Sequence, residues 1–164
     1  MANVRIQPSR ALAVTKSNDA DIPYPAVAHS GASTAIALFE LIDGTANFPA
    51  LNIYPGNIVY NTSSTPPLAA TVIEVSPLTP TVLKLNSDIF TASPENYVIY
   101  QSSPMAGGQN TGCVLYVGTG GDVTVTTAGN DYVTFVDVQS GSFLPVQVVK
   151  VWDSGASADI LALW

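Results

Sequence analysis

The chain has 164 residues, only 10% of them charged, with five Lys and Arg against twelve Asp and Glu for a formal net charge of -7. A chain of this length forms one domain or two small ones and buries enough surface to fold without a disulfide or a metal. A single cysteine excludes an intramolecular disulfide scaffold, the scarcity of Lys and Arg argues against sequence-independent nucleic-acid binding, and no apolar run approaches the about 18 residues of a membrane-spanning helix.

The start, Met1 to Pro8, carries no apolar signal region, so the chain is expected to be made and folded in a cytoplasm. Residues 1–30 read as an extended arm, with one strand over Ala11 to Thr15 and a proline-stiffened connector, Asp21-Ile22-Pro23-Tyr24-Pro25. Arg5 and Arg10, two of the five basic residues, lie in this arm, which is expected to reach another subunit, steered toward an acidic surface. Residues 31–103 read as a second β unit, with strands near 34–41, 58–61, 69–76, 82–85 and 97–101. Its run Ser33 to Ile42 is short and apolar enough to be either helix or buried strand. The flanking Gly31 and Gly44 favour strand.

Residues 104–111 read as a linker. Residues 112–164 hold about five strands, in which short Val, Thr, Tyr and Phe runs alternate with Gly, Asn and Asp as in antiparallel strands joined by tight turns. In the last run, Ile160, Ala162 and Trp164 alternate with Leu161 and Leu163, so both faces are apolar and both need cover. The fold class is therefore all-β, built from antiparallel sandwich or barrel units with little or no helix. The arm either completes the C-terminal domain, making 31–103 an insertion, or hangs from a head-to-tail pair of domains.

Four blocks stand in order. They are Ala11-Leu12-Ala13-Val14-Thr15 with Ser17-Asn18-Asp19-Ala20-Asp21-Ile22-Pro23; Leu115-Tyr116-Val117-Gly118 with Gly120-Gly121-Asp122-Val123 and Val125-Thr126; Val133-Thr134-Phe135 with Gly141-Ser142-Phe143-Leu144-Pro145-Val146-Gln147-Val148; and Asp159-Ile160-Leu161-Ala162-Leu163-Trp164. Together they resemble the head spike base proteins of tailed phages and gene transfer agents, over roughly the first 25 and last 53 residues. The resemblance implies a β-rich virion component seated on the capsid and carrying a spike or fibre. The middle unit departs from the compact members of that family and looks like the small β modules of phage structural proteins, which adds a decoration, or cement, role.

Residues with chemical potential have plainer readings. His29, the only histidine, is expected in an exposed loop, and no Gly-x-Ser-x-Gly elbow accompanies it. One Cys and one His do not make a tetrahedral zinc site. Gly118-Thr119-Gly120-Gly121 is followed by a strand rather than a helix, so it reads as a hairpin turn and not a phosphate loop. The pairs Asp19/Asp21 and Asp153/Asp159 read as loop carboxylates, Asn61-Thr62-Ser63 as a turn, and Cys113 as a buried, inert thiol. The tyrosines Tyr24, Tyr54, Tyr60, Tyr97, Tyr100, Tyr116 and Tyr132, with Trp152 and Trp164, suit core or interface packing more than sugar stacking.

The chain thus reads as a non-enzymatic virion structural protein, without cofactor, metal or catalytic residues. Its expected partners are copies of itself, as a trimer or pentamer, the major capsid protein, and a spike or fibre protein; nucleic acid and membrane are not expected. Arg5, Arg10, Tyr24, Trp152 and Trp164 are the residues expected at subunit contacts. The rival readings are a carbohydrate-binding host-attachment module, distinguished by exposed aromatics gathered in one groove, and a tail or baseplate adaptor.

Overall fold

The structure, a computed structural model, describes residues 8–103, 110–155 and 157–164. Every regular element among them is a strand, and every pairing is antiparallel. This is the all-β fold that the Val, Thr and Gly-punctuated runs predict. The chain divides into two compact units. One comprises residues up to Val14 together with Thr111–Trp164, and the other is Thr15–Asn110.

The middle unit holds β2 (Val27–Ala32), β3 (Ala35–Ala37), β4 (Glu40–Ile42), β5 (Ile58–Asn61), β6 (Leu68–Val75), β7 (Val82–Leu85) and β8 (Asn96–Tyr100), in the sheet order β2-β8-β5-β6-β7-β4-β3. β6 is the corner. Its first half pairs with β5 and its second half with β7, with a register shift between Val72 and Glu74. A strand that changes partners through such an irregularity lets a sheet fold over its own core. One apolar cluster accordingly joins Val59, Ala70 and Ile99 to Leu41, Leu83 and Leu85, with Phe48, Phe90 and Tyr97 among them.

All four residues of β5 are buried, because this sheet is covered on both sides. Val59 faces the main cluster, while Ile58 and Tyr60 pack with Ala20 and Ala69 in a second one. The cover is the segment after Thr15, expected from sequence to belong to an arm ending at residue 30. The Asp19 carbonyl accepts from Thr71 Oγ1 at 3.3 Å and from Asn86 Nδ2, and Asn110 Nδ2 donates to the Ile22 carbonyl at 3.2 Å. Burial of Ala20 and Ile22 draws the unit boundary back to Val14/Thr15.

The strand expected near 34–41 is a hairpin instead. Ala37 pairs with Glu40, leaving Leu38 and Phe39 as a two-residue loop, and Phe39 takes a φ of 60°. Tight hairpin loops favour Gly, Asn or Asp where φ is positive. An apolar pair carries no such turn signal, so the bend is invisible in the sequence. An L-residue in this region of backbone space is strained by about 1–2 kcal/mol.

The other unit orders its strands β1-β13-β9-β12-β10-β11, with β1 (Ala11–Ala13), β9 (Cys113–Thr119), β10 (Gly121–Thr127), β11 (Tyr132–Val138), β12 (Ser142–Val151) and β13 (Ala158–Leu163). The two chain ends meet here. Ala11, Leu12 and Ala13 pair with Leu163, Ala162 and Leu161, and the Trp164 amide donates to the Arg10 carbonyl at 3.0 Å. Of consecutive strands in this unit only β10 and β11 are neighbours, so the expected series of tight hairpins does not hold.

Gly118 to Gly121 is accordingly a kink and not a hairpin turn, since β9 and β10 both pair with β12 and not with each other. The glycines are there for space. A Cβ on Gly118 would lie 2.7 Å from the Asp159 carbonyl, and one on Gly120 would lie 2.5 Å from that of Val138. Glycine inside a strand marks such close backbone approach. Pro145 lies within the register shift between Leu144 and Val148 of β12, where a missing amide donor is tolerated.

Candidate interaction surface

Alternation along β13 puts Ile160 and Ala162 into the interior, at 3% and 0% exposure. Leu161 therefore points away from the core. The register carries this outward position straight across four strands: Ala13 opposes Leu161, Leu161 opposes Tyr116, and Tyr116 opposes Phe143. A second row runs beside it, Ala11 to Leu163 to Val114. Phe143 is 59% exposed and Leu161 37%, and the Tyr116 and Phe143 rings meet edge to face at 5.3 Å. No member of either row is charged. Next to them lies an open groove of about 430 Å³ lined by Ala13, Val14, Tyr116, Gly118, Asp159 and Leu161. The Asp159 carboxylate accepts from Thr119 Oγ1 at 2.8 Å.

The residues expected at contacts fall in different places. Arg10 and Trp164 come together, joined by backbone hydrogen bonds at the end of β13, with Arg10 exposed and Trp164 half-buried. Trp152 is half-buried away from this row. Its Nε1 donates to Thr126 Oγ1 at 2.9 Å, its ring meets Tyr132 edge-on at 5.3 Å, and the Lys150 ammonium lies 5.1 Å from its centroid. Tyr24 belongs to the middle unit, where its amide donates to the Gln101 carbonyl at 2.9 Å. Arg5 and the linker positions 104–109 lie outside the described residues. The apolar row Leu161, Tyr116 and Phe143 was not singled out from sequence, although the two-faced apolar pattern of 160–164 was its signal.

His29 is not in a loop. It lies half-buried on β2, with its ring 5.9 Å from that of Tyr97 and 6.3 Å from that of Phe48. Below it, Asp43 is 2% exposed and accepts from the Tyr97 hydroxyl at 2.7 Å, the Thr45 hydroxyl at 2.6 Å and the Thr45 amide at 2.9 Å. Burial alone raises the carboxyl. The Thr45 and Tyr97 hydroxyls, the Thr45 amide and the charge of His29 outweigh it and hold Asp43 below its ordinary value. Burial and the same carboxylate push the Tyr97 phenol up. Asp43 and Tyr97 are buried while Thr45 is exposed, and the bonds among them tie the turn after β4 to β8.

The Asn61 amide is likewise used internally. It donates to the Ile89 carbonyl at 2.7 Å, and its oxygen accepts from the Ser63 amide at 2.9 Å. Cys113 is 1% exposed, its Sγ donates to the Val148 carbonyl at 3.3 Å, and burial pushes the thiol up to about 12. Among the described residues no three His, Cys, Asp or Glu side chains come together as a metal-binding group.

Comparison with known proteins found no matching family model, no similar curated protein and no similar solved structure.

Proposed function

We propose that this protein is a non-enzymatic virion structural subunit, a homo-oligomeric spike base or decoration protein on the capsid of a tailed phage. The carrying observation is the uncharged apolar row Ala13, Leu161, Tyr116 and Phe143 on the outward side of the six-stranded sheet. Contiguous exposed apolar surface on a small protein marks a place where another macromolecule binds. A chain with 10% charged residues also has few groups with which to keep such a surface solvated. The four-block resemblance to head spike base proteins supplies the setting: capsid subunits below, a spike or fibre above, and trimeric or pentameric self-association. The basic Arg10, exposed where the chain enters β1, suits contact with an acidic capsid surface.

The carbohydrate-binding reading has less support. Exposed aromatics are spread out, with Tyr54 in the middle unit and Tyr132 and Phe143 on different strands of the other. The indole of Trp152 is occupied by Tyr132 on one side and Lys150 over its ring.

Phage particles purified from a strain encoding this chain test the proposal. The protein is expected at a fixed copy number per capsid, and Phe143→Asp is expected to deplete it from particles while leaving its strand-type circular dichroism unchanged. Particles wholly lacking the wild-type protein would overturn the reading.

A further inference from the structure

Among the described residues, four strands stand at sheet edges: β1 and β11 in one unit, β2 and β3 in the other. An open edge offers unpaired amides and carbonyls to any extended chain, and proteins blunt it with short strands, proline, lysine or bulges. β1 and β3 have three residues each, and β2 is irregular, with a register shift between Val27 and His29. β11 has seven residues and contains no Pro, Gly or Lys. Its one irregularity lies opposite Asp122, where Asp137 takes a φ of 53°, and leaves 132–135 in unbroken register with β10. The Thr127 amide donates to the Asp131 carbonyl at 3.0 Å. Alternation from that pair puts Val133 and Phe135 in hydrogen-bonded pairs with β10, so the backbone of Tyr132 and Thr134 points to the open side. Side chains are open here too. Tyr132 is 63% exposed, and Val133, opposite the buried Val125 and so at the rim of the core, is 38% exposed.

We propose that β11 receives residues 2–7 of a second copy of the chain as an added strand. This rests on the reading of the protein as a self-assembling subunit, and it names the contact.

Sequence pattern selects the segment. Ala2, Val4 and Ile6 alternate with Asn3, Arg5 and Gln7, the period of a strand with one face covered. Laid beside β11, the apolar set covers Val133 and Phe135 at the rim of the core, and the polar set stays on the side of Tyr132 and Thr134. Charge agrees. Residues 1–18 hold three of the five basic residues, Arg5, Arg10 and Lys16, and no Asp or Glu. Residues 111–149, which include β11, hold Asp122, Asp131 and Asp137 and no Lys or Arg. The contact therefore joins a basic stretch of one copy to an acidic edge of another, although each whole chain carries -7. Position makes it a contact between copies. The Ser9 and Arg10 amides donate to the Trp164 carbonyl at 2.5 and 3.2 Å, which holds the start of the chain at β1, and β1 and β11 lie at opposite ends of the sheet order. The five strand spacings between them come to about 24 Å along the sheet, which the residues before Ser9 would use up at about 3.4 Å each, with too few left to pair. Segment and edge both belong to the unit formed by the two chain ends, so the contact is independent of the middle unit. Added strands bind through main-chain hydrogen bonds more than through area, so a short segment suffices. Each copy gives one segment and receives one, so association is not limited to a single contact.

Sedimentation of the full chain across the micromolar to millimolar range tests the proposal. The wild type is expected to associate. Thr134→Pro, whose lost amide faces the open side, and Val4→Asp, in the segment itself, are each expected to keep the wild-type circular dichroism and to weaken association about tenfold or more. Mixed, the two variants are expected to form a complex of two chains, because one retains an intact segment and the other an intact edge. Should Thr134→Pro lose its fold, Val4→Asp alone decides the matter. Association that survives Val4→Asp, or a folded Thr134→Pro, would overturn the strand addition and leave the self-assembling subunit standing. Loss in both variants with no recovery on mixing would do the same. A wild type that stays monomeric throughout would overturn both.

Discussion

In the middle unit the outer side of β5 and β6 is covered by the chain itself: Ala20 and Ile22 of the entering segment lie buried, Ala20 against Ile58, Tyr60 and Ala69. In the other unit no described segment covers the corresponding side of β13, β9 and β12, and Leu161 is 37% and Phe143 59% exposed. Both sheets contain a strand that is apolar on both faces, a pattern usual for strands covered on both sides. Among the described residues, the corresponding face of the unit formed by the two chain ends is open.

The largest test of that difference is in the closed unit. Phe48→Ala, at a site with 0% exposure in the main cluster, is expected to cost about 3–5 kcal/mol of stability in urea denaturation. A loss under about 1 kcal/mol would show that the cluster is loosely packed.

The built-in cover comes next. Ile22→Ala is expected to cost about 2–5 kcal/mol, because the buried side chain leaves a cavity. A near-neutral result would mean that the segment after Thr15 drapes over the sheet without sealing it.

Acid separates the units in another way. Folded Asp43 is held below its ordinary carboxylate value, so the unfolded chain binds this proton more readily than the folded one. The contribution is fully present at neutral pH and above the ordinary value of about 4. It is lost as pH falls from there through the lower folded value. Urea midpoints followed downward from neutral pH are expected to decline in this window, and Asp43→Asn is expected to be less stable at pH 7 and to flatten the decline. An equally steep decline in Asp43→Asn would assign the acid sensitivity to other carboxylates.

The smallest effect belongs to the bare face. Leu161→Ala is expected to change the stability of the dissociated subunit by no more than about 1 kcal/mol, since the side chain is already partly in water. A core-sized loss would mean that this face is covered within the subunit and would remove the contrast between the units.

Local pattern was enough to locate β5, β6, β7 and β8 to within a residue or two, because each is a β-branched or aromatic run bounded by Gly, Pro or Asn. It failed where the local signal was absent or false. Leu38-Phe39 bends without a turn residue, and the contacts of its neighbours Asp88 and Leu85 hold it there. Gly118 to Gly121 has the composition of a turn but kinks one strand run into the next, to clear the carbonyls of Asp159 and Val138. His29 looked like a loop residue because small residues surround it, yet it sits on a strand above a buried carboxylate 14 positions along the chain.

By itself the sequence determined that the protein is all-β, that its single thiol forms no internal bridge, and that its last strand is apolar on two faces. These follow from composition and from a side-chain period of two, which are properties of neighbouring residues. Only the tertiary structure decided which faces are covered: the register that lines up Ala13, Leu161, Tyr116 and Phe143, the folding of residues 15–24 onto β5 and β6, and the exposure of the Leu38–Phe39 tip. Those depend on pairings between residues as far apart as Ala13 and Leu161, and a local period cannot encode which of two apolar faces the rest of the chain will reach.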